Sequence, residues 1–207
     1  MGRDKATLDV AGASLLDRTI ADVPPGVPVV VAGPSVTVAR QGVVFVQEDP
    51  PGGGPVAGIL AALPAVTAPV VVVLATDLPL VGTLPSELAD ALLDAAPDAD
   101  ADADATPDAL LAADASGRPQ QLCAAYRADA LRRAIADNGT AHGAAMRAVV
   151  ERLRASTLTT ISDTAPYESP GSHPQVDPTW DIDTPEDLHR LEELLTDDPP
   201  DADPAEL

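Results

Sequence analysis

The chain has 207 residues, 45% hydrophobic but only 2% aromatic, enough for one domain whose core is built of Val, Leu and Ala. A formal net charge of −21, from 33 acids against 12 bases, argues against a nucleic-acid or anionic-membrane surface. The single cysteine, Cys123, leaves no internal disulfide framework, and no apolar run approaches the ~20 residues of a membrane span, so a cytoplasmic protein is expected.

After a polar opening at Met1–Leu8, apolar residues at helical spacing (Leu15, Leu16, Ile20) predict a helix over 14–21, ended by Pro24, Pro25 and Pro28. Short strands follow at 29–32 and 43–46, closed by Gly33-Pro34 and by Glu48-Asp49-Pro50-Pro51. Gly52-Gly53-Gly54 then runs into a small-residue helix beginning near Pro55. Such a loop lets a ligand approach the backbone, but it lacks the Lys-Ser/Thr ending of a P-loop and is a weak signal alone. Val70–Leu74, five apolar residues in a row, predicts a strand buried on both faces in the middle of a parallel sheet. Thr76-Asp77 stands at its carboxyl end, where open α/β sheets bind ligands, and position alone leaves Asp77 as either a site acid or a cap.

Helix 84–95 has Thr83 or Ser86 as its candidate cap, and the Asp-Ala run 97–108 reads as a solvated loop without the Gly and final Glu of a calcium loop. Strands at 109–113 and 120–126 form a hairpin around 114–118; helices at 128–136 and 143–154 and a strand at 158–161 follow. Thr184 is an apt cap for a last helix with Pro185 in its first position and Glu186 and Asp187 at its positive end. His142, His173 and His189 have no ligand spacing, Cys123 reads as a core residue, and Trp180 as a cover for the core edge. One domain over 1–195 with an acidic, disordered tail over 196–207 is expected.

Four motifs stand in order: Met1-Gly-Arg-Asp-Lys5, Asp49 followed by Gly54-Pro-Val-Ala-Gly58, Ala75-Thr-Asp77-Leu-Pro79, and Asp181-Ile-Asp183-Thr-Pro-Glu-Asp187. Together with Gly117-Arg118-Pro119-Gln120-Gln121-Leu122 and Tyr126, they resemble the MobA-like nucleotidyltransferases over residues 1 to about 195, most closely those of molybdenum cofactor guanylylation. The resemblance implies a single Rossmann-like α/β/α domain with a mainly parallel sheet. It also implies GMP transfer from GTP, with Mg²⁺, to the phosphate of a molybdopterin-type acceptor. By the same resemblance Lys5 contacts the triphosphate, Asp77 binds Mg²⁺, and Asp49, Gly54, Pro55 and Gly58 contact the nucleotide. Asp183 stands where many relatives have Asn, and it is either a further Mg²⁺ ligand or part of the helix cap. Cytidylyl or other nucleotidyl transfer to a small phosphorylated acceptor is the alternative.

The family also carries a strand and a Leu-Ala-Gly-Gly-x-Ser-x-Arg loop ahead of the Met-Gly-x-Asp-Lys segment, and neither is in this sequence. The expectation is a start codon placed too late, the alternative a truncated, catalytically silent homologue. In-frame codons for the Gly-rich loop upstream of Met1 would support the first, and an in-frame stop would sink it.

Overall fold

The computed structural model describes residues 5–95, 106–159 and 177–196. The acidic run at 96–105, His173, the end of the strand expected at 158–161 and the tail at 197–207 lie outside the described residues.

A small hairpin, β1 (Asp9–Val10) and β2 (Ala13–Ser14), opens the described chain and leads into α1 (Leu15–Ala21). Ser14 caps α1 by accepting from the Asp17 N–H at 3.0 Å. Strands β3 (Val30–Ala32) and β4 (Val44–Val46) pair in parallel, and α2 (Pro55–Ala62) packs over them. The fit is closest at Gly58, where a Cβ would lie 3.2 Å from the Ala32 Cβ. Then come β5 (Val70–Leu74), α3 (Leu84–Asp94), β6 (Ala109–Ala113), β7 (Pro119–Arg127), α4 (Ala128–Asp137), α5 (Met146–Val150), β8 (Ala155–Thr159) and α6 (Pro185–Thr196).

The larger sheet has the order β5-β7-β6-β8, with β6 and β8 parallel and β7 antiparallel to both its neighbours. Its strands alternate apolar side chains to both faces, which the two-residue period of a strand makes possible when helices cover both sides. Leu111, Ala124 and Tyr126 face Val56, Leu131, Ile135, Met146 and Val149, contributed by α2, α4 and α5. Leu110, Cys123 and Ala125 face Leu84, Leu88 and Leu92 of α3. The layered α/β fold read from the sequence is therefore the observed one.

Three details depart from the sequence reading. The sheet is mixed, because the 109–113 and 119–127 strands are joined by a tight turn, which requires antiparallel pairing. Val70–Leu74 is half-buried along its whole length: β5 pairs with β7 on one side, and among the described residues no strand pairs with its other edge. The helix expected over 143–154 is confined to Met146–Val150, after a Gly143 with φ of 72° that helical geometry does not admit.

The last strand is clipped at its base. Both Asp108 oxygens accept from the Arg154 guanidinium, at 3.0 and 3.1 Å, and Asp108 also accepts from the Arg154 N–H. These bonds hold the Asp108 carboxyl below its ordinary value, with the Arg154 side chain the largest cause. A depressed carboxyl adds stability above its unfolded value and loses it as pH falls through the folded one. Asp108→Asn should therefore cost about 1–2 kcal/mol at pH 7 and progressively less below about pH 4. Urea unfolding of both proteins at pH 7 and pH 3 checks this, and an equal difference at the two pH values would refute it.

Candidate functional site

Two ends of the sequence are brought to the carboxyl end of β5. Near the amino terminus a short helical turn, Lys5–Thr7, is closed by the Leu8 N–H donating to the Lys5 carbonyl at 3.0 Å, and the Leu15 N–H donates to the Leu8 carbonyl at 3.0 Å. From the other end, the Ile182 N–H donates to the Asp77 carbonyl at 3.0 Å, and the fully buried Ile182 side chain packs with Val10, Leu15 and Leu191. Asp183 is thereby set beside Asp77. Capping duty at α6 falls elsewhere: Thr184 and Asp187 form a reciprocal capping box, the Thr184 N–H donating to Asp187 Oδ2 at 2.8 Å and the Asp187 N–H to Thr184 Oγ1 at 3.1 Å. The Asp183 carboxylate is left to face Lys5.

Lys5 is the centre of the cluster. Its Nζ lies 3.5 Å from Asp77 Oδ2 and hydrogen-bonds Asp183 Oδ1. The bond to Asp183 is the main cause that raises the Lys5 pKa, the Asp77 charge adds to it, and burial opposes both. Asp181 is pushed up by burial and then by the charges of Asp183 and Asp77. Asp77 caps no helix; its carboxylate partner is Lys5.

The ammonium marks a place where a cation sits between two carboxylates. Hard oxygen donors of this kind suit Mg²⁺, which binds through one or two carboxylates and completes its shell with water and phosphate oxygens. Among the described residues no three His, Cys, Asp or Glu side chains form a closed metal cage, so substrate oxygens would have to supply the remaining ligands.

Beside this cluster opens a cavity of about 760 Å³ that Asp77 and Asp181 border. Its far wall comes from an irregularity in β7. Leu111 pairs with Ala124 but Ala112 pairs with Gln120, so Gln121–Cys123 drop out of register with β6 and line the cavity instead. Tyr126 fixes this bulge by donating its hydroxyl to the Gln121 carbonyl at 2.7 Å. Asp114 holds the neighbouring turn by accepting from the Arg118 N–H and from Ser116, and Asp177 ties the opposite wall to it by accepting from the Ala115 N–H.

The remaining sequence candidates stand apart from Lys5. Asp49 is exposed at the end of β4 and makes no hydrogen bond or ion pair with a described residue. Gly54, with φ of 83°, is the amino-terminal cap of α2, and Pro55 is its first residue. Gly58 is buried against Ala32, a packing position. Sequence reasoning missed Glu48, whose carboxylate accepts from the Gly52 and Gly53 N–H groups at 2.9 and 3.3 Å. Two backbone donors of the glycine loop are thus occupied. It also left Asp181, although it opens the last motif, and Arg190 out of the candidate set.

The model of the MobA-like NTP transferase domain matches residues 1–157. The chain belongs to the MobA-like NTP transferase family. No curated protein matches it in sequence. Among solved structures, molybdopterin-guanine dinucleotide biosynthesis protein A from Archaeoglobus fulgidus is similar at a TM-score of 0.65 and 23% identity, over 94% of this chain and 92% of that one. The 2-C-methyl-D-erythritol 4-phosphate cytidylyltransferase from Thermus thermophilus reaches 0.61 at 20% identity, over 93% and 94%. A 4-diphosphocytidyl-2C-methyl-D-erythritol synthase reaches 0.58 at 16%, over 92% and 94%. These likenesses show the shared fold. The family makes a nucleoside triphosphate the substrate class, and no helix among the described residues is long and apolar enough to cross a membrane.

Cys123, in the cavity wall, is fully buried, and burial pushes its thiol up to about 12. The thiolate is the reactive form, so the native protein should resist iodoacetamide at pH 8 and react at least tenfold faster in urea. Rapid alkylation of the folded chain, read by mass spectrometry, would contradict this placement.

Proposed function

We propose that this chain is a Mg²⁺-dependent nucleotidyltransferase that transfers GMP from GTP to the phosphate of a molybdopterin-type acceptor. The observation that carries the reading is the Lys5 ammonium held between Asp77 and Asp183 at the edge of a ligand-sized cavity. In the proposed step an acceptor phosphate oxygen attacks the α-phosphorus of the nucleotide. The bond from that phosphorus to the bridging oxygen breaks, and pyrophosphate leaves with the electron pair. Lys5, a compact point charge, would turn from the carboxylates to the triphosphate and offset the charge developing there. Asp77 and Asp183 would hold Mg²⁺, which when bound neutralises phosphate oxygens and orients them. Asp49, Gly54, Pro55 and Gly58 would contact the nucleotide as the resemblance implies; Glu48 would have to release the loop N–H groups for any phosphate held there.

The choice of GTP and of a molybdopterin acceptor rests on the sequence motifs and on the name of the Archaeoglobus relative. The cytidylyltransferase of nearly equal structural similarity supports CTP as the second reading.

Pyrophosphate release measured with GTP, CTP and ATP in the presence of molybdopterin should be fastest with GTP. A preference for CTP would move the assignment to cytidylyl transfer, and no release with any of the three would end it. Lys5→Ala should lower the rate by about 100-fold or more, the scale on which a preorganised charge acts at a transition state. Asp183→Ala should shift the Mg²⁺ titration to higher concentration, and an unchanged titration would remove Asp183 from the metal set.

A further inference from the structure

Two polar side chains of α1 and its carboxyl-terminal cap bond to the loop that follows β5. Thr19 is 5% exposed. Its hydroxyl lies 3.1 Å from the Leu15 carbonyl of its own helix and 3.2 Å from the carbonyl of Leu78, the residue next to Asp77. A hydroxyl has one hydrogen, so the two carbonyls share it. The bond back to Leu15 is a local one that a helical threonine makes without any tertiary partner. The Leu78 carbonyl depends on the hydroxyl more: Leu78 is buried, and among the described residues no other group donates to that oxygen.

At the end of the same helix, Asp22 accepts from the Gly82 N–H at 2.9 Å. A carboxylate is poorly placed here for stability alone. It stands at the carboxyl-terminal cap of α1, the negative end of the helix dipole, and burial pushes its carboxyl up while the Gly82 bond opposes the shift. One helix thus pins the Asp77–Gly82 loop near both of its ends. That helix also holds Lys5: the Leu15 N–H donates to the Leu8 carbonyl, and the Leu8 N–H to the Lys5 carbonyl. Leu15 and Thr19 are stacked on one helix face, separated by about 6 Å of rise. α1 is therefore a spacer with the Lys5 turn at one end and the Asp77 loop at the other.

We propose that Thr19 and Asp22 are positioning residues that set the contact between Lys5 and Asp77 through α1. They act on the loop backbone, not on the charges themselves. The proposal rests on the nucleotidyltransferase reading for the use of that contact. The contact is measured without nucleotide or metal, so the two can fail separately.

Lys5 is the one lysine of the chain, so labelling lysine with nitrogen-15 gives a single ammonium signal. Its hydrogen exchange with water, read by NMR at one fixed, mildly acidic pH, is slower the more firmly carboxylates hold it. Thr19→Val keeps the shape and loses the hydroxyl; it should speed exchange at least twofold, in the direction taken by Asp77→Asn. Thr19→Ser, which keeps the donor, should stay within 1.5-fold of the wild type. Added to Asp77→Asn, Thr19→Val should change nothing further, because the contact it positions is already lost. Asp22→Ala should speed exchange in the same sense, and Asp22→Asn, which keeps an acceptor oxygen, should not. The Asp22 pair decides the proposal if circular dichroism shows that Thr19→Val does not fold. In turnover, Thr19→Val should raise the Mg²⁺ concentration for half-maximal pyrophosphate release at least threefold, with Thr19→Ser near the wild type. Wild-type exchange in folded Thr19→Val and Asp22→Ala, equal effects of Thr19→Ser and Thr19→Val, or an acceleration that persists in the Asp77→Asn background would overturn the proposal. The expected exchange pattern in a chain that releases no pyrophosphate with any nucleotide would instead end the transfer reading and keep the positioning role.

Discussion

The hydrogen bond from the Ile182 N–H to the Asp77 carbonyl holds the two halves of the site together. A backbone bond of this kind contributes about 0.5–1.5 kcal/mol net, and burial of the Ile182 side chain roughly 1.5–3 kcal/mol. Their effect on geometry is larger than those figures convey. Asp183 follows Ile182 directly, so fixing one residue on the β5 loop and in the Val10–Leu15–Leu191 core sets the next residue's carboxylate against Lys5. Lys5 itself is held by the turn that leads into the same core. A small cluster of apolar residues thus determines the distance between charges that lie at opposite ends of the sequence.

The charges are balanced for exchange. Lys5 and Asp77 are each 27% exposed and Asp183 is 64% exposed, so the ammonium is held by two carboxylates yet remains open to solvent. A fully buried ion pair would resist rearrangement, because breaking it strands a desolvated charge; an exposed pair is screened and can be replaced. Removing the ammonium would leave Asp77 and Asp183 without a counter-charge and with Asp181 nearby. The same logic separates Lys5 from Arg154, whose fork is locked onto Asp108 to secure the base of β8.

The cavity depends on a defect in the sheet. Had β7 kept its register with β6, Gln121, Leu122 and Cys123 would have continued the ladder. The bulge turns this stretch into a wall, and the buried Tyr126 hydroxyl, pushed up by its burial, secures it with a single bond to the Gln121 carbonyl. Ala75 still donates to the Leu122 carbonyl at 2.7 Å, so the bulge stays attached to β5 on the side where Asp77 emerges.

Local chemistry made much of this legible in the sequence. The helix cap at Thr184, the glycine and proline stops, and the apolar runs of β5, β6 and β7 act over a few residues and need no distant partner. Motif order was enough to name Lys5, Asp77 and Asp183 together. Their contact, the half-buried state of Val70–Leu74, the bulge at Gln121–Cys123, the hold of Glu48 on the glycine loop and the approach of Arg190 to the Trp180 ring were not legible. Each depends on what lies across space from a residue. A carboxylate that caps a turn and one that faces a lysine have the same neighbours in sequence, and only the packing of Ile182 beneath the β5 loop distinguishes them.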